Sequence, residues 1–174
     1  MSISKLLKTI LIILAFFPLK SLAQEGFAGG LGASYELDQQ LFGVNTRLFY
    51  GPNHHFCFGP EISFFPYQKV NEEYEETIID LNINGHYIFE LTHKLGAYAL
   101  TGINYSIEKE RGIVNSKETE QLDAFGLNYG VGAHYNVGKV FLFLEFKGLI
   151  GQLSDEFITI GTMFRLASKK EKEH

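Results

Sequence analysis

From residue 27 onward, bulky apolar side chains alternate with small or polar ones at a period of two. In the run 27–37, Phe27, Leu31, Ala33, Tyr35 and Leu37 share one parity, while Gly30, Gly32, Ser34 and Glu36 share the other. The run 41–50 sets Phe42, Val44, Leu48 and Tyr50 against Asn45 and Arg47. The run 55–65 sets Phe56, Phe58, Ile62 and Phe64 against Gly59, Glu61 and Ser63. The clearest run is 79–89, where Ile79, Leu81, Ile83, Tyr87 and Phe89 alternate with Asp80, Asn82, Asn84 and His86. In the run 94–108, Ala97, Ala99, Ile103 and Tyr105 are assigned outward, with Gly102, Asn104 and Ser106 inward. The run 125–135 opposes Phe125, Leu127, Tyr129, Val131 and Tyr135 to Gly126, Asn128, Gly130, Gly132 and His134. The run 140–150 opposes Val140, Leu142, Leu144, Phe146 and Ile150 to Glu145 and Lys147. The run 158–166 opposes Ile158, Ile160, Phe164 and Leu166 to Gly161, Met163 and Arg165. Period-two alternation bounded by turn residues predicts strands, here eight of them.

Alternation suits both a soluble sandwich with its apolar face inward and a membrane barrel with that face outward. The polar face separates the two. It is rich in Gly, Ser and Asn, whereas the charges gather in the connections, and a water-facing strand surface needs charge. Connections 51–54, 91–93 and 136–138 are tight; 66–76, 109–121 and 151–156 are longer and polar, and 38–40 is the one short member of that set. Short turns at one end and long loops at the other fit a membrane barrel, whose strands need ~9–11 residues. There are 16 Phe and 9 Tyr, many near predicted strand ends, which suits the aromatic girdles of such barrels. The expected fold is all-β: an eight-stranded antiparallel up-and-down transmembrane β-barrel.

Residues 1–23 read as a secretory signal peptide. Lys5 and Lys8 precede an apolar stretch, and Ser21-Leu22-Ala23 supplies small residues two apart. The barrel is then expected over 24–167 and a charged tail over 168–174. One cysteine, Cys57, leaves no internal disulfide, and a closed barrel stabilises a small exported domain by leaving no unpaired edge. The net charge of −5 and the lack of a basic stripe argue against nucleic acid as a partner.

The stretches Tyr98-Ala99-Leu100-Thr101-Gly102-Ile103-Asn104-Tyr105, Leu127-Asn128-Tyr129-Gly130-Val131-Gly132-Ala133-His134-Tyr135 and Ile158-Thr159-Ile160-Gly161-Thr162-Met163-Phe164-Arg165-Leu166 carry a resemblance. With nearly all of 25–167, they resemble the outer-membrane β-barrel domain family of small eight-stranded, OmpA/OmpX-type barrels. The resemblance implies an outer-membrane location, with membrane lipid and the barrel-insertion machinery as partners. It also implies a C-terminal aromatic read by that machinery; Phe164 is the nearest, and residues 165–174 follow it. Eight strands leave an interior filled by side chains rather than an open channel.

The inward parity defines the candidate site. Arg47, Glu61, Asp80, Glu145, Lys147 and Arg165 form an expected lumen charge network, with Asn82, Asn84, His86, Asn104, Asn128 and His134 as its polar neighbours. Buried charges must pair, so the favoured reading is a plug that rigidifies the barrel, ahead of a proton or ion path. The function expected is structural or surface-interacting, without catalysis, and any ligand would meet the outer loops 72–76 and 109–120. One alternative is a secreted, lipocalin-like soluble barrel holding a small apolar ligand. Another is a lipid-modifying outer-membrane enzyme using His86 or His134. Ser106 and Ser154 qualify as nucleophiles by residue type alone, and no G-x-S-x-G motif occurs. No cofactor is expected. No metal site is expected either, since His55 and Cys57 share a face but supply half the ligands of a structural zinc site.

Overall fold

The computed structural model describes residues 26–113, 118–138 and 140–168. The leader expected over 1–23 lies outside these residues, as does the tail beyond Ser168. Eight strands follow in order: β1 Gly26–Glu36, β2 Phe42–Asn53, β3 Phe56–Lys69, β4 Tyr74–Glu90, β5 Leu95–Gly112, β6 Glu118–Val137, β7 Val140–Gly151 and β8 Glu156–Ser168. Each pairs antiparallel with its sequence neighbour, and β1 pairs with β8 to close the barrel. Closure gives every strand two partners, which is the arrangement that satisfies backbone groups in lipid.

The burial pattern is inverted relative to a water-soluble fold. Leu31, Phe125 and Ile160 are 65%, 76% and 62% exposed, while Asn84, Lys147 and Asp80 are 0%, 2% and 0% exposed. Leu48, Ile83, Ile103, Leu127, Val131 and Leu144 continue the apolar outer belt around the wall. A soluble ligand-holding barrel would carry its apolar face inward, so this alternation excludes the lipocalin-like reading. Aromatic pairs edge the belt. Phe27–Tyr50 at 5.0 Å and Tyr87–Phe89 at 5.0 Å lie toward the end where β1 begins, β8 ends and the short turns sit. Tyr35–Phe42 at 4.6 Å and Tyr105–Phe125 at 4.7 Å lie toward the opposite, loop end.

The strands run further than the alternation predicts. Residues 66–69, 74–76, 109–112 and 118–121, read from sequence as loop, are strand. β4, β5 and β6 reach 17, 18 and 20 residues, well beyond the ~9–11 that a membrane crossing needs. Their surplus stands at the loop end, where residues 109–112 are partly exposed at both parities while Glu76 and Thr77 stay buried. The period-two hydropathy signal vanishes there, but pairing continues from Tyr74↔Gly112 to Ile79↔Ile107. Arg111 holds the extension by pairing with Glu75 at 2.6 Å and lying 4.1 Å from the Tyr67 ring.

Candidate functional site

The lumen is built from the inward parity of all eight strands, and glycines make room for its long side chains. Arg47 lies across from Gly30, Lys147 across from Gly130, and Glu145 across from Gly132. Gly132 also lies under the Tyr98 ring, where a Cβ would overlap the phenol carbons. Without these glycines the lumen lacks space for a guanidinium, an ammonium and a phenol at one level.

The charged layer crosses the barrel. Arg47 on β2 donates from Nη1 and Nη2 to Glu145 on β7, at 2.9 and 3.1 Å, a bidentate geometry. Nη2 also lies 3.1 Å from Glu61 Oε2, and Nε donates to Asn45 at 2.9 Å. Lys147 donates to the other oxygen of Glu61 at 2.7 Å. The Tyr98 hydroxyl donates to Glu145 at 2.9 Å, and His86 Nε2 stands 4.0 Å from the same oxygen. Arg47, Glu61, Glu145 and Lys147 therefore form one chain of alternating charge, fully buried and neutral in sum. Rings brace it, with Arg47 4.2 Å from the Phe143 ring centre and Lys147 5.2 Å from that of Phe157.

An amide ladder stands beside this layer on β4, β5 and β6. Asn104 donates to Asn82 at 2.8 Å, and Asn128 donates to both Asn82 and Asn84 at 2.8 Å. The Ser106 hydroxyl donates to Asp80, and Asn104 reaches the same carboxylate at 3.3 Å. Toward the loop end, Leu41, Phe65, Ile78 and Phe157 close the lumen with a buried apolar cap. A bidentate ion pair, an amide ladder and this cap fill the middle and the loop end of the interior.

Two residues assigned to the lumen from sequence lie at its turn-end mouth, away from the Arg47 layer. Arg165 is exposed at the turn end, 5.2 Å from the Phe141 ring, and makes no ion pair with the Arg47 layer. It still pairs with Ala28 of β1, but its side chain lies at the open turn end, exposed to water. His134 is half-buried and packs edge-on to Phe141 at 5.8 Å. Both line a cavity of about 380 Å³ at the turn end, floored by His86 and Tyr98. These two rings stack at 4.7 Å. The serines suggested by residue type do not pair with either histidine. Ser106 bonds Asp80 on the far side of the charged layer, and Ser154 is exposed in the β7–β8 connection. Tyr98 and the apolar cap escape sequence reasoning. Tyr98 shares the inward parity of Gly102 and Asn104, which is the one signal that points to it.

Together, the closed antiparallel wall, apolar outer belt and charge-filled interior define the fold of a small transmembrane β-barrel of the outer-membrane type. Solved structures agree. The attachment invasion locus protein Ail of Yersinia pestis matches with TM-score 0.60 and 14% identity, over 82% of this chain and 99% of that one. Neisserial surface protein A matches with TM-score 0.61 and 10% identity, over 80% and 96%. The N-terminal barrel domain of Pseudomonas aeruginosa OprF matches with TM-score 0.57 and 16% identity, over 81% and 98%. Ail has also been crystallised with the heparin analogue sucrose octasulfate. No family model and no curated protein matches the chain.

Proposed function

We propose that this chain is an integral outer-membrane protein that acts without catalysis, as a rigid anchor presenting its loop end at the cell surface. The inverted burial carries the reading: an apolar belt for lipid surrounds a neutral, ion-paired lumen. A rigid wall with a plugged interior offers no path for solute, and the Ser/His pairing that hydrolysis needs is unmet in the lumen. The strand extensions of β3 to β6 then form a stalk above the membrane, and the loops they carry are the surface for a ligand or partner. Residues 1–23 serve as the export leader, and outer-membrane lipid and the barrel-insertion machinery are the first partners. Ail's binding of a sulfated sugar supports a surface ligand for a barrel of this size, by likeness of fold alone.

Epitope insertion tests the orientation. A tag between Glu72 and Glu73 is expected to bind antibody on intact cells, and a tag between Thr92 and His93 only after permeabilisation. The reverse labelling, or a tag between Glu72 and Glu73 hidden on intact cells, contradicts the proposal.

A further inference from the structure

Beyond the membrane crossing, β3 to β6 continue as a four-stranded sheet without β2 and β7 beside them. β2 stays in register with β3 no further than Val44↔Phe64, and β7 pairs with β6 no further than Gly126↔Gly151. The extension therefore has two edges of its own, residues 65–69 of β3 and residues 118–125 of β6. The β3 edge is closed. Pro66 has no N–H to offer, and the Gln68 amide takes the place of a neighbouring strand. Phe42 N donates to Gln68 Oε1 at 3.0 Å, and Gln68 Nε2 donates to Phe42 O at 2.6 Å and to Pro66 O at 3.2 Å.

The β6 edge is open. Residues 118–125 pair with β5 from Arg111↔Glu118 to Tyr105↔Phe125, and among the described residues no backbone group bonds them from the other side. The stretch contains no proline, and its length is about 27 Å. Such an edge turns unpaired N–H and C=O groups outward and is a template for another strand. Its charge is one-sided. Residues 118–125 and 150–157, which border the open side, include Glu118, Glu120, Asp123, Asp155 and Glu156 and no Lys, Arg or His. Glu120 and Asp123 are exposed and of opposite parity, so each face of the edge carries an acid; Gln121 donates to Asp123 at 2.9 Å. Leu122 and Phe125, also of opposite parity, are 43% and 76% exposed and give each face an apolar seat. Two copies of this edge laid together would set acid beside acid, which disfavours self-pairing and favours a strand that brings positive charge.

We propose that the open edge of β6 takes up an extended, basic peptide segment of a partner protein by strand addition. Backbone hydrogen bonds along residues 118–125 hold the incoming strand whatever its sequence, and the side chains choose it. Glu120 and Asp123 pair with Lys or Arg on the two faces of the added strand, beside contacts to Leu122 and Phe125. The inference rests on the reading of the loop end as the partner-binding surface and gives that surface a class of partner. Binding to purified protein does not depend on orientation in the cell, so its failure leaves the epitope-labelling result standing, and reversed labelling leaves a positive titration standing.

The probe is a fluorescein-labelled peptide of eight residues, lysine and threonine in alternate pairs so that each face carries lysine. It is titrated by fluorescence anisotropy with the full chain, purified from membranes in a neutral maltoside detergent, at about 0.15 M salt. Saturable binding of one peptide per barrel is expected. The same peptide with every amide N-methylated keeps its charge and loses its backbone donors, and is expected to bind at least about tenfold more weakly. Glu120→Lys combined with Asp123→Lys, both at exposed positions that the wall does not need, is expected to weaken binding at least about tenfold. Glu72→Lys combined with Glu73→Lys makes the same charge change in the β3–β4 turn and is expected to stay within about twofold of the parent. A flat titration, an N-methylated peptide that binds as well as the unmodified one, or equal losses in the two double variants overturns the proposal. So does a barrel that dimerises through this edge, seen as a dimer in light scattering that the peptide leaves intact.

Discussion

Arg47→Met removes the hub of the lumen network and nearly conserves its volume. Glu145 then keeps the Tyr98 hydroxyl at 2.9 Å and loses both of its guanidinium bonds, while Glu61 keeps Lys147. A four-charge set that summed to zero is left at −1, with the orphaned charge on a residue 1% exposed. Breaking one side of a buried pair costs ~3–5 kcal/mol, because the remaining charge has no solvent. At about 1.4 kcal/mol per decade this shifts the folding equilibrium roughly 140- to 3,700-fold. Adding Glu145→Gln to Arg47→Met restores neutrality, since Lys147 and Glu61 still balance, and is expected to recover most of the loss. The assay is urea unfolding in lipid vesicles, followed by the shift between folded and unfolded bands on a gel. A loss below about 1 kcal/mol in Arg47→Met, or a double variant as weak as the sum of the two singles, refutes a dry paired lumen.

Leu144→Arg places a charge in the middle of the outer belt, between Ala133 and Ile160, and is expected to cost ~2–4 kcal/mol in the same vesicle titration. Gly132→Ala crowds the Tyr98 ring and is expected to cost ~1–3 kcal/mol, with a change in tyrosine ultraviolet absorbance on folding. The loop-end acids give a pH dependence of definite sign. Glu76 titrates near 7 in the folded barrel against 4.5 when unfolded, so the folded state binds more protons in between and stability falls as pH rises through that window. The groups facing it are Glu36 on β1, Glu108 and Glu110 on β5, and Asp155 before β8. Glu76→Gln is therefore expected to match the parent at about pH 5 and to exceed it at about pH 8, as read from urea midpoints. A variant weaker than the parent at the higher pH contradicts the sign.

The wall of the barrel is legible in sequence because lipid on one side and packed polar groups on the other impose opposite chemistries on alternate residues. From Ile79 to His86 that contrast is broken only at Gly85, and the face assignments there match the structure. Legibility fails where the contrast fails. Residues 109–112 and 120–121 are partly or fully exposed at both parities, so their strand state rests on backbone pairing, which leaves no trace in hydropathy. The apolar cap fails for a related reason. Phe64 and Phe65 are adjacent and equally apolar, yet one faces lipid and the other fills the lumen. Parity assigns both faces, but an apolar residue of inward parity reads as noise until its partners Leu41, Ile78 and Phe157 are placed around it. Partnering inside the lumen is not local either. Arg47 and Glu145 are 98 residues apart, and only closure of β1 on β8 brings them across one interior.

The most direct test of the central claim, a closed barrel with lipid outside and paired charge inside, is heat-modifiability of the chain in fractionated envelopes. The protein is expected in the outer-membrane fraction as a band that resists detergent unboiled and shifts on boiling. A soluble product, or a membrane band with one mobility before and after boiling, contradicts the account.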